Sequence, residues 1–341
     1  MPTIYDIAKV VGTSAATVSK VLNNYKDVSP TTREKVMAVA KEMGYVPNLT
    51  ARSLKTNRSY LVGVVFSEDM GIGLEHQFFS VVLENFRQHI GKYGYDTIFI
   101  NNMLGTNKIG YLDHCKYRNV DGVFIITTHP GDVDVNKLVE SKIKCITTDL
   151  VLENTPTVIS ENHEGSKMAV HHFYENGHRR IGHIGAQRHS IAGLERHEGY
   201  VMGLKELGIE VDENYYIVSP EFNFQVTYET TKTYIDRFTR ETMPTAIYVA
   251  SDVMALGTIR ALESKGYRVP EDVSIIGFDD ISLAEYSRPA LTTIRQKKDL
   301  IGITVADMLV KSIENGEVPT GIIRMPVELI VRDTVKNIKA E

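Results

Sequence analysis

The sequence predicts a small all-α helix-turn-helix head followed by a larger, two-lobed α/β body. Three observations carry this prediction. The first 45 residues place apolar side chains at helical spacing, with glycine and proline at the breaks. From residue 60 onward, short β-rich runs alternate with helical stretches, the pattern of parallel sheets with crossover helices. The charge divides in the same way. Residues 1–59 hold nine Lys/Arg against four acids, while the whole chain is −5, so the remainder carries ten negative charges. A basic head on an acidic body is the electrostatic footprint of a nucleic-acid-binding domain joined to something else.

The totals set outer limits. A chain of 341 residues exceeds one ordinary domain. Its 43% hydrophobic and 24% charged residues match a soluble globular protein. No stretch approaches the roughly 18 apolar residues of a membrane span, so no membrane partner is expected. The opening "MPTIYDIAKVVG" carries Asp6 and Lys9 inside its apolar pattern, unlike a signal peptide. Cys115 and Cys145 are far apart and in no metal-like spacing. They read as intracellular thiols, and the cytoplasm is the expected compartment.

In the head, Thr3 and Asp6 fit a capping box before "IYDIAKVV", and Gly12 permits a tight turn. Ser14 and Thr17 stand at the start of a second helix whose Val18, Val21 and Leu22 share a face. Ser29 followed by Pro30 opens a third helix, "TTREKVMAVAKEMGY", which ends at Gly44. The polar, basic "VPNLTARSLKTNRS" then reads as a linker with marginal helical tendency over residues 49–55.

In the body, strands are expected at "YLVGVVF", "DTIFIN", "DGVFIIT", "IKCITTD", "TVISEN", "RRIGHIG", "YYIVSP", "TAIYVAS" and "VSIIGFD". Helices are expected at 77–92, 165–176, 195–207, 226–239, 253–265 and 298–315. There are too many strands for one compact sheet. They fall into two sets meeting near residue 160, and the late pieces "PALTTIRQ" and "IIRMPVELIVRD" return to both sheets.

Ordered motifs now carry a resemblance. "TIYDIAKVVGTSAATVSKVLN", "VSPTTREKVMAVAKEMGYVPN" and "ARSL" are followed by "ENHEGSKMAVHHFYENGHRRIGHIG", "ERHEGYVMGL", "SDVMALGTIRALESKGYRVPEDVSIIGFDDI" and "LTTIRQ". Over nearly its whole length the chain resembles the lactose/galactose-repressor (LacI/GalR) family. The resemblance implies a helix-turn-helix headpiece over 1–46 and a hinge helix over 47–58 that forms on operator DNA. It implies a periplasmic-binding-protein-like body, with a first lobe of 59–161 and 289–321 and a second of 162–288 and 322–335. A small effector, expected to be a sugar or sugar derivative, would bind between the lobes, with no cofactor or metal. The protein would act as a homodimer on a near-palindromic operator. The end "VRDTVKNIKAE" adds no leucine heptads, which favours a dimer over a tetramer. A member of the catabolite-control type, governed by a regulatory protein partner, is one alternative, and a solute-binding protein is the other.

In the family the helix after the turn enters the major groove. Here that places Ser14, Thr17 and Ser19, short hydroxyls suited to phosphates or to capping, at its edge. Ala15 and Ala16 fall on the family's variable reading positions. A methyl cannot donate, but it packs against the thymine C5-methyl. Lys20, one turn on, can donate to guanine O6 or N7 as a point charge. Thr3, Asn23, Ser29 and Thr32 complete the expected DNA-facing set of the head. In the hinge, Leu54 matches the family's leucine wedge between base steps, with Ala51 beside it at helical spacing. Asn48, Arg52 and Lys55 are the expected backbone or minor-groove contacts.

Ligands of open α/β sheets sit at the carboxyl ends of strands. Those ends carry Ser67, Asn101, Asp149, Ser251 and Asp279. Sugar recognition needs carboxylates and amides bridging hydroxyls, an arginine and aromatic faces. Asp279 is expected to accept from two hydroxyls, and Gln296 comes from the late crossing. The resemblance makes Arg196 the cleft arginine. His76, Phe78, Phe79 and Phe224 are the expected aromatic walls, with one of Phe78 and Phe79 facing the core. Ser251 stands where the family often has asparagine. Asp252 is expected to cap helix 253–265, and Asp280 to be a turn residue.

Catalysis is not expected. "GIG" at 71–73 is a fragment of a dinucleotide fingerprint, and no Walker motif, G-x-S-x-G or His-x-x-x-His pair is present.

Overall fold

A computed structural model describes residues 2–22, 25, 27–46, 58–67, 73–128, 131–187, 190–317 and 320–339. Asn23 and the hinge residues Asn48, Ala51, Arg52, Leu54 and Lys55 lie outside the described residues, as does the expected helical tendency over 49–55. The chain divides into two units, Met1–Ser59 and Tyr60–Glu341.

The first unit holds helices α1 (Ile4–Val11), α2 (Ala15–Leu22) and α3 (Pro30–Glu42). Each starts on the predicted hydroxyl. Thr3 and Asp6 form the reciprocal capping box of α1. Ser14 Oγ accepts from the Thr17 amide at 3.1 Å, and Ser29 Oγ from the Thr32 amide at 3.2 Å. Gly12 ends α1 at φ 74°, a left-handed conformation that glycine adopts without steric cost. Ile7, Ala8, Val18, Val21, Val36 and Ala40 form the core of this unit. Burying side chains of the larger kind stabilises a fold by on the order of 2 kcal/mol each, so a core this small leaves little margin.

The second unit is two α/β lobes. In the first, β1 (Leu61–Phe66), β2 (Asp96–Phe99), β5 (Gly122–Thr127), β6 (Lys144–Thr148), β7 (Thr157–Ser160) and β13 (Ile322–Met325) form an all-parallel sheet in the order β13-β7-β6-β5-β1-β2. A two-stranded ribbon, β3 (Met103–Leu104) and β4 (Asn107–Lys108), follows β2. The sheet packs against α4 (Gln77–Lys92), α5 (Tyr111–Arg118), α6 (Val133–Val139) and α12 (Lys298–Asn315). The α4 and α12 backbones approach closely at Gly302, where a Cβ would collide with the Val82 carbonyl.

In the second lobe, β8 (Ile181–Gly185), β9 (Tyr216–Val218), β10 (Ala246–Val249), β11 (Ser274–Asp279), β12 (Thr292–Gln296) and β14 (Val327–Ile330) take the order β14-β12-β11-β10-β8-β9. Only β14 runs antiparallel, against β12. Its helices are α7 (Asn162–Glu175), α8 (Ile191–Glu206), α9 (Phe224–Ile235), α10 (Asp252–Ser264) and the short α11 (Ser282–Tyr286).

The chain passes between lobes three times, each time through a single residue between regular elements: Glu161, Lys297 and Pro326. This corrects the expected lobe segments. Residues 292–296 were assigned to the first lobe with the rest of 289–321, but they pair with β11 in the second sheet. Residues 322–325 were assigned to the second lobe, but they pair with β7 in the first. For the second boundary the physical reason is Pro326. It splits the apolar run "IIRMPVELIV" into two strands, and proline cannot continue a ladder as a donor.

Candidate DNA-binding and effector sites

In the head, α2 buries Val18 and Val21 and turns Ala16 and Lys20 outward. The two alanines separate. Ala16 is exposed, whereas Ala15 is half-buried and packs on the Ile7 core. Ser14 and Thr17 share a hydroxyl contact at 2.9 Å, and Ser29 and Thr32 one at 2.8 Å. The hydroxyls of Thr3, Ser14 and Ser29 therefore cap helices, which fixes the helix N-termini whatever else they contact. Ser19 is half-buried on α2. The Lys20 ammonium is held 2.5 Å from Asp27 Oδ2.

In the body, the residues around the three crossings converge. Gln296, at the end of β12, donates from Nε2 to Asp279 Oδ1 at 2.5 Å and accepts from Ser160 Oγ at 2.5 Å. Arg196 on α8 donates from Nε to Asn162 Oδ1 at 3.0 Å and from Nη1 to the Ala250 carbonyl at 2.6 Å. Its Nη1 lies 3.6 Å from Asp279 Oδ1, and its guanidinium stacks 3.8 Å above the Phe278 ring. Stacking and two hydrogen bonds fix a fork that would otherwise cost side-chain entropy to order. Asp149 follows β6 from the first lobe at φ 54°. Asp279 sits at φ 119°, a strained conformation of the kind concentrated at functional sites.

That strain is supported from the other lobe. Lys298, the first residue of α12, donates from Nζ to the carbonyls of Asp279 and Asp280. Burial lowers the Lys298 pKa, against the pull of the nearby carboxylates. Asp280 is the turn residue expected, clamped by Arg295 at 2.6 Å and Arg332 at 2.7 Å. Those partners outweigh its burial and hold its carboxyl below the usual range. Asp149 keeps a face open to solvent but is crowded by protein, and that burial, with Asp279 and Glu195 nearby, pushes it up to about 6 despite Arg196.

Several expected site residues have other duties. Ser251 is fully buried and caps α10, its Oγ accepting from the Met254 amide. Asp252 was the expected cap. It is instead the first residue of α10, and its buried carboxyl bonds Thr293 Oγ1 at 2.5 Å and the Ile281 amide at 2.9 Å. Burial and neighbouring Asp279 push it well above the usual carboxylate range. Phe78 and Phe79 are both buried in the first-lobe core, in edge contact at 5.2 Å. His76, at the N-cap of α4, also packs on Phe79, with ring centroids 5.1 Å apart. Ser67 is half-buried and bonds Tyr111. Phe224 starts α9 and lines a groove with Leu256, Ile259, Tyr286 and Pro289.

Sequence reasoning missed five members of the cluster: Ser160, Asn162, Glu195, Lys298 and Arg324. Arg324 on β13 makes a bidentate pair with Glu195 on α8, at 2.7 and 3.0 Å, across the lobes. No single-residue pattern marks them, because each depends on which strand ends meet.

The architecture has matches among known proteins. Residues 3–48 match the bacterial regulatory proteins of the lacI family, and residues 170–335 match the periplasmic binding protein-like domain. The chain is 31% identical to the HTH-type transcriptional repressor PurR of Vibrio vulnificus (strain CMCP6), over 99% of this chain and 100% of that one. The chain belongs to the LacI family. The lac repressor dimer bound to operator and the anti-inducer ONPF superposes with a TM-score of 0.79 at 27% identity, covering 98% of this chain and 99% of that one. The transcriptional regulator CelR in its cellobiose complex gives 0.71 at 28% identity, covering 98% and 100%. This LacI-family chain is thus a transcriptional repressor with a helix-turn-helix DNA-binding head and an effector-binding body. Its relatives are regulators rather than enzymes, and regulators of this family answer to small-molecule effectors rather than cofactors. Among the described residues, no helix is long and apolar enough to cross a membrane, and no cluster of His, Cys, Asp and Glu could hold a metal ion.

Proposed function

We propose that this repressor binds a near-palindromic operator as a homodimer and is controlled by a neutral, multiply hydroxylated effector, a sugar or sugar derivative, held between the lobes. The carrying observation is the charge balance around Asp279. Asp280, Glu328 and Glu195 already pair with Arg295, Arg332 and Arg324, Arg295 being shared between Asp280 and Glu328. Asp149 and Asp279 then face Arg196 and Lys298. Such a set alternates acceptors and donors, as vicinal hydroxyls require, and has no surplus cation for a phosphate. Ser160, Gln296, Asp279 and Arg196 tie both lobes to one spot, so a ligand there biases the lobe angle.

Effector control then requires different affinities for the DNA-competent and incompetent lobe arrangements. Operator contact is assigned to Ala16, Lys20 and the hydroxyl-capped helix starts, with Leu54 and its hinge neighbours supplying minor-groove contacts. For the dimer, the groove of about 320 Å³ on the second lobe, with Leu256, Ile259, Leu283 and Tyr286 in its lining, is the apolar face assigned to a second copy. Leu283 and Tyr286 on its rim are 57% and 70% exposed.

A thermal-shift screen of neutral sugars, sugar phosphates and nucleobases, repeated with Asp279→Ala, tests the effector reading. A neutral sugar should raise the melting temperature of the parent and leave the variant unmoved. A sugar phosphate or base as sole hit overturns the ligand class. No hit at millimolar concentration, with DNA binding intact, favours control by a regulatory protein partner instead.

A further inference from the structure

We propose that Asp27 is a specificity-determining residue of the head, whose carboxylate restrains Lys20 so that it reports base identity rather than phosphate. The proposal rests on the assignment of Lys20 as a reading residue.

Lys20 projects from the exposed face of α2, and Asp27 from the turn that joins α2 to α3. Their charged atoms are 2.5 Å apart, and the two side chains are 49% and 54% exposed. The pairing raises the lysine pKa and lowers that of the aspartate. Described residues on either side of this stretch are tied to α3. Arg33 on α3 donates to the carbonyls of Val21 and Tyr25, and Ser29 caps α3 two residues beyond Asp27. The carboxylate is therefore presented to Lys20 from a supported position. Three acids besides Asp27 lie in residues 1–59. Asp6 is used in the α1 capping box, while Glu34 and Glu42 belong to α3. Asp27 is the acid that meets the reading side chain.

A lone lysine is a flexible point charge that binds any phosphate it can reach. An ammonium has three donors. In the major groove, one can remain on Asp27 while another reaches guanine O6 or N7. If Lys20 instead follows the backbone, it brings the Asp27 carboxylate toward a phosphate, and like charges repel. The acid therefore weakens backbone-only binding more than base-directed binding. The pair supplies with two residues part of the orientation that an arginine fork supplies with one.

The test uses the full-length chain and two duplexes of equal length: the best sequence from a randomised-operator selection, and a random sequence. Anisotropy titrations over a KCl series compare the parent with Asp27→Asn. The variant should bind the random duplex several-fold more tightly, with the slope of log K against log salt steeper by about one. Affinity for the selected duplex should change less, so the specificity ratio falls roughly 3- to 10-fold. In a Lys20→Met background the same substitution should move the ratio less than about 2-fold. Asp27→Glu should retain most of the parent ratio. An unchanged or increased ratio in Asp27→Asn, or an equal fall without Lys20, overturns the proposal. Failure of the parent to bind any duplex overturns the DNA-reading assignment beneath it.

Discussion

Gln296 donates its side-chain amide to the Asp279 carboxylate at 2.5 Å while accepting from Ser160, so one buried amide ties two crossings between the lobes to the strained end of β11. Replacing it with leucine keeps the volume and removes both bonds. Asp279 and Ser160 would be left buried and short of a partner, each at a cost of about 1–3 kcal/mol. Gln296→Leu should therefore lower stability to urea by that order and abolish the thermal shift given by any effector. A variant with parental stability and an intact shift would remove Gln296 from the site.

The second cross-lobe link makes a double-mutant prediction. Arg324→Met strands the Glu195 carboxylate, whose side chain is 5% exposed, and should destabilise the body by about 3 kcal/mol. Adding Glu195→Gln should recover much of that loss, because the stranded charge is removed. Chemical denaturation of the two single variants and the double variant gives the coupling. Additive losses would show that the pair does not act as a unit.

His178 makes the pH prediction. It is buried, with Nδ1 3.0 Å from Thr245 Oγ1 and Nε2 3.0 Å from the Lys336 carbonyl. Burial pushes its pKa down to about 4 from an ordinary 6.5. The unfolded chain takes up the proton first as pH falls. The neutral imidazole's contribution is therefore complete above pH 6.5 and is lost progressively as pH falls from there to about 4. The loss is worth up to about 3 kcal/mol. His178→Asn should be less stable at pH 7 and flatter across this window. An equally steep pH profile in the variant would assign the acid sensitivity elsewhere.

The two alanines of α2 should respond differently. Ala16→Gln adds a donor and acceptor on the exposed face and should change the selected operator. Ala15→Gln pushes a polar side chain toward the Ile7 core and should cost head stability, by about 1 kcal/mol, more than it changes preference. A randomised-operator selection and a melting curve separate these outcomes. The reverse pattern would mean that α2 is rotated from the face described.

Much of this architecture is legible in the sequence because buried parallel strands appear as unbroken apolar runs. "LVGVVF" and "VSIIGFD" are buried on both faces, as β1 and β11. The helix caps of the head are equally plain, since Ser, Thr and Pro sit where a helix must start. Other features are three-dimensional. The helices α7, α8 and α9 begin earlier than expected because asparagine, serine and glycine near their starts disguise the first turn. α5, α6 and α11 are only five to eight residues long and lack enough turns to show a period. The groove that Phe224 lines is not legible either, because a position at the head of a helix says nothing about which neighbours it faces. Asp279, Arg196 and Gln296 were legible through family motifs. Their partners Ser160, Asn162, Glu195, Lys298 and Arg324 become visible only once the three crossings are known.

The central claim is that occupancy of the Asp279 site is coupled to operator binding. It is tested most directly by titrating the selected operator with and without the neutral sugar found in the screen, for the parent and for Asp279→Ala. The account predicts an operator Kd shifted at least about 5-fold by the sugar in the parent, the lower end of typical allosteric coupling. It predicts no shift in Asp279→Ala, whose sugar-free operator affinity stays within about 2-fold of the parent. A shift that survives in Asp279→Ala, or a sugar that stabilises the parent without moving its operator affinity, would contradict it.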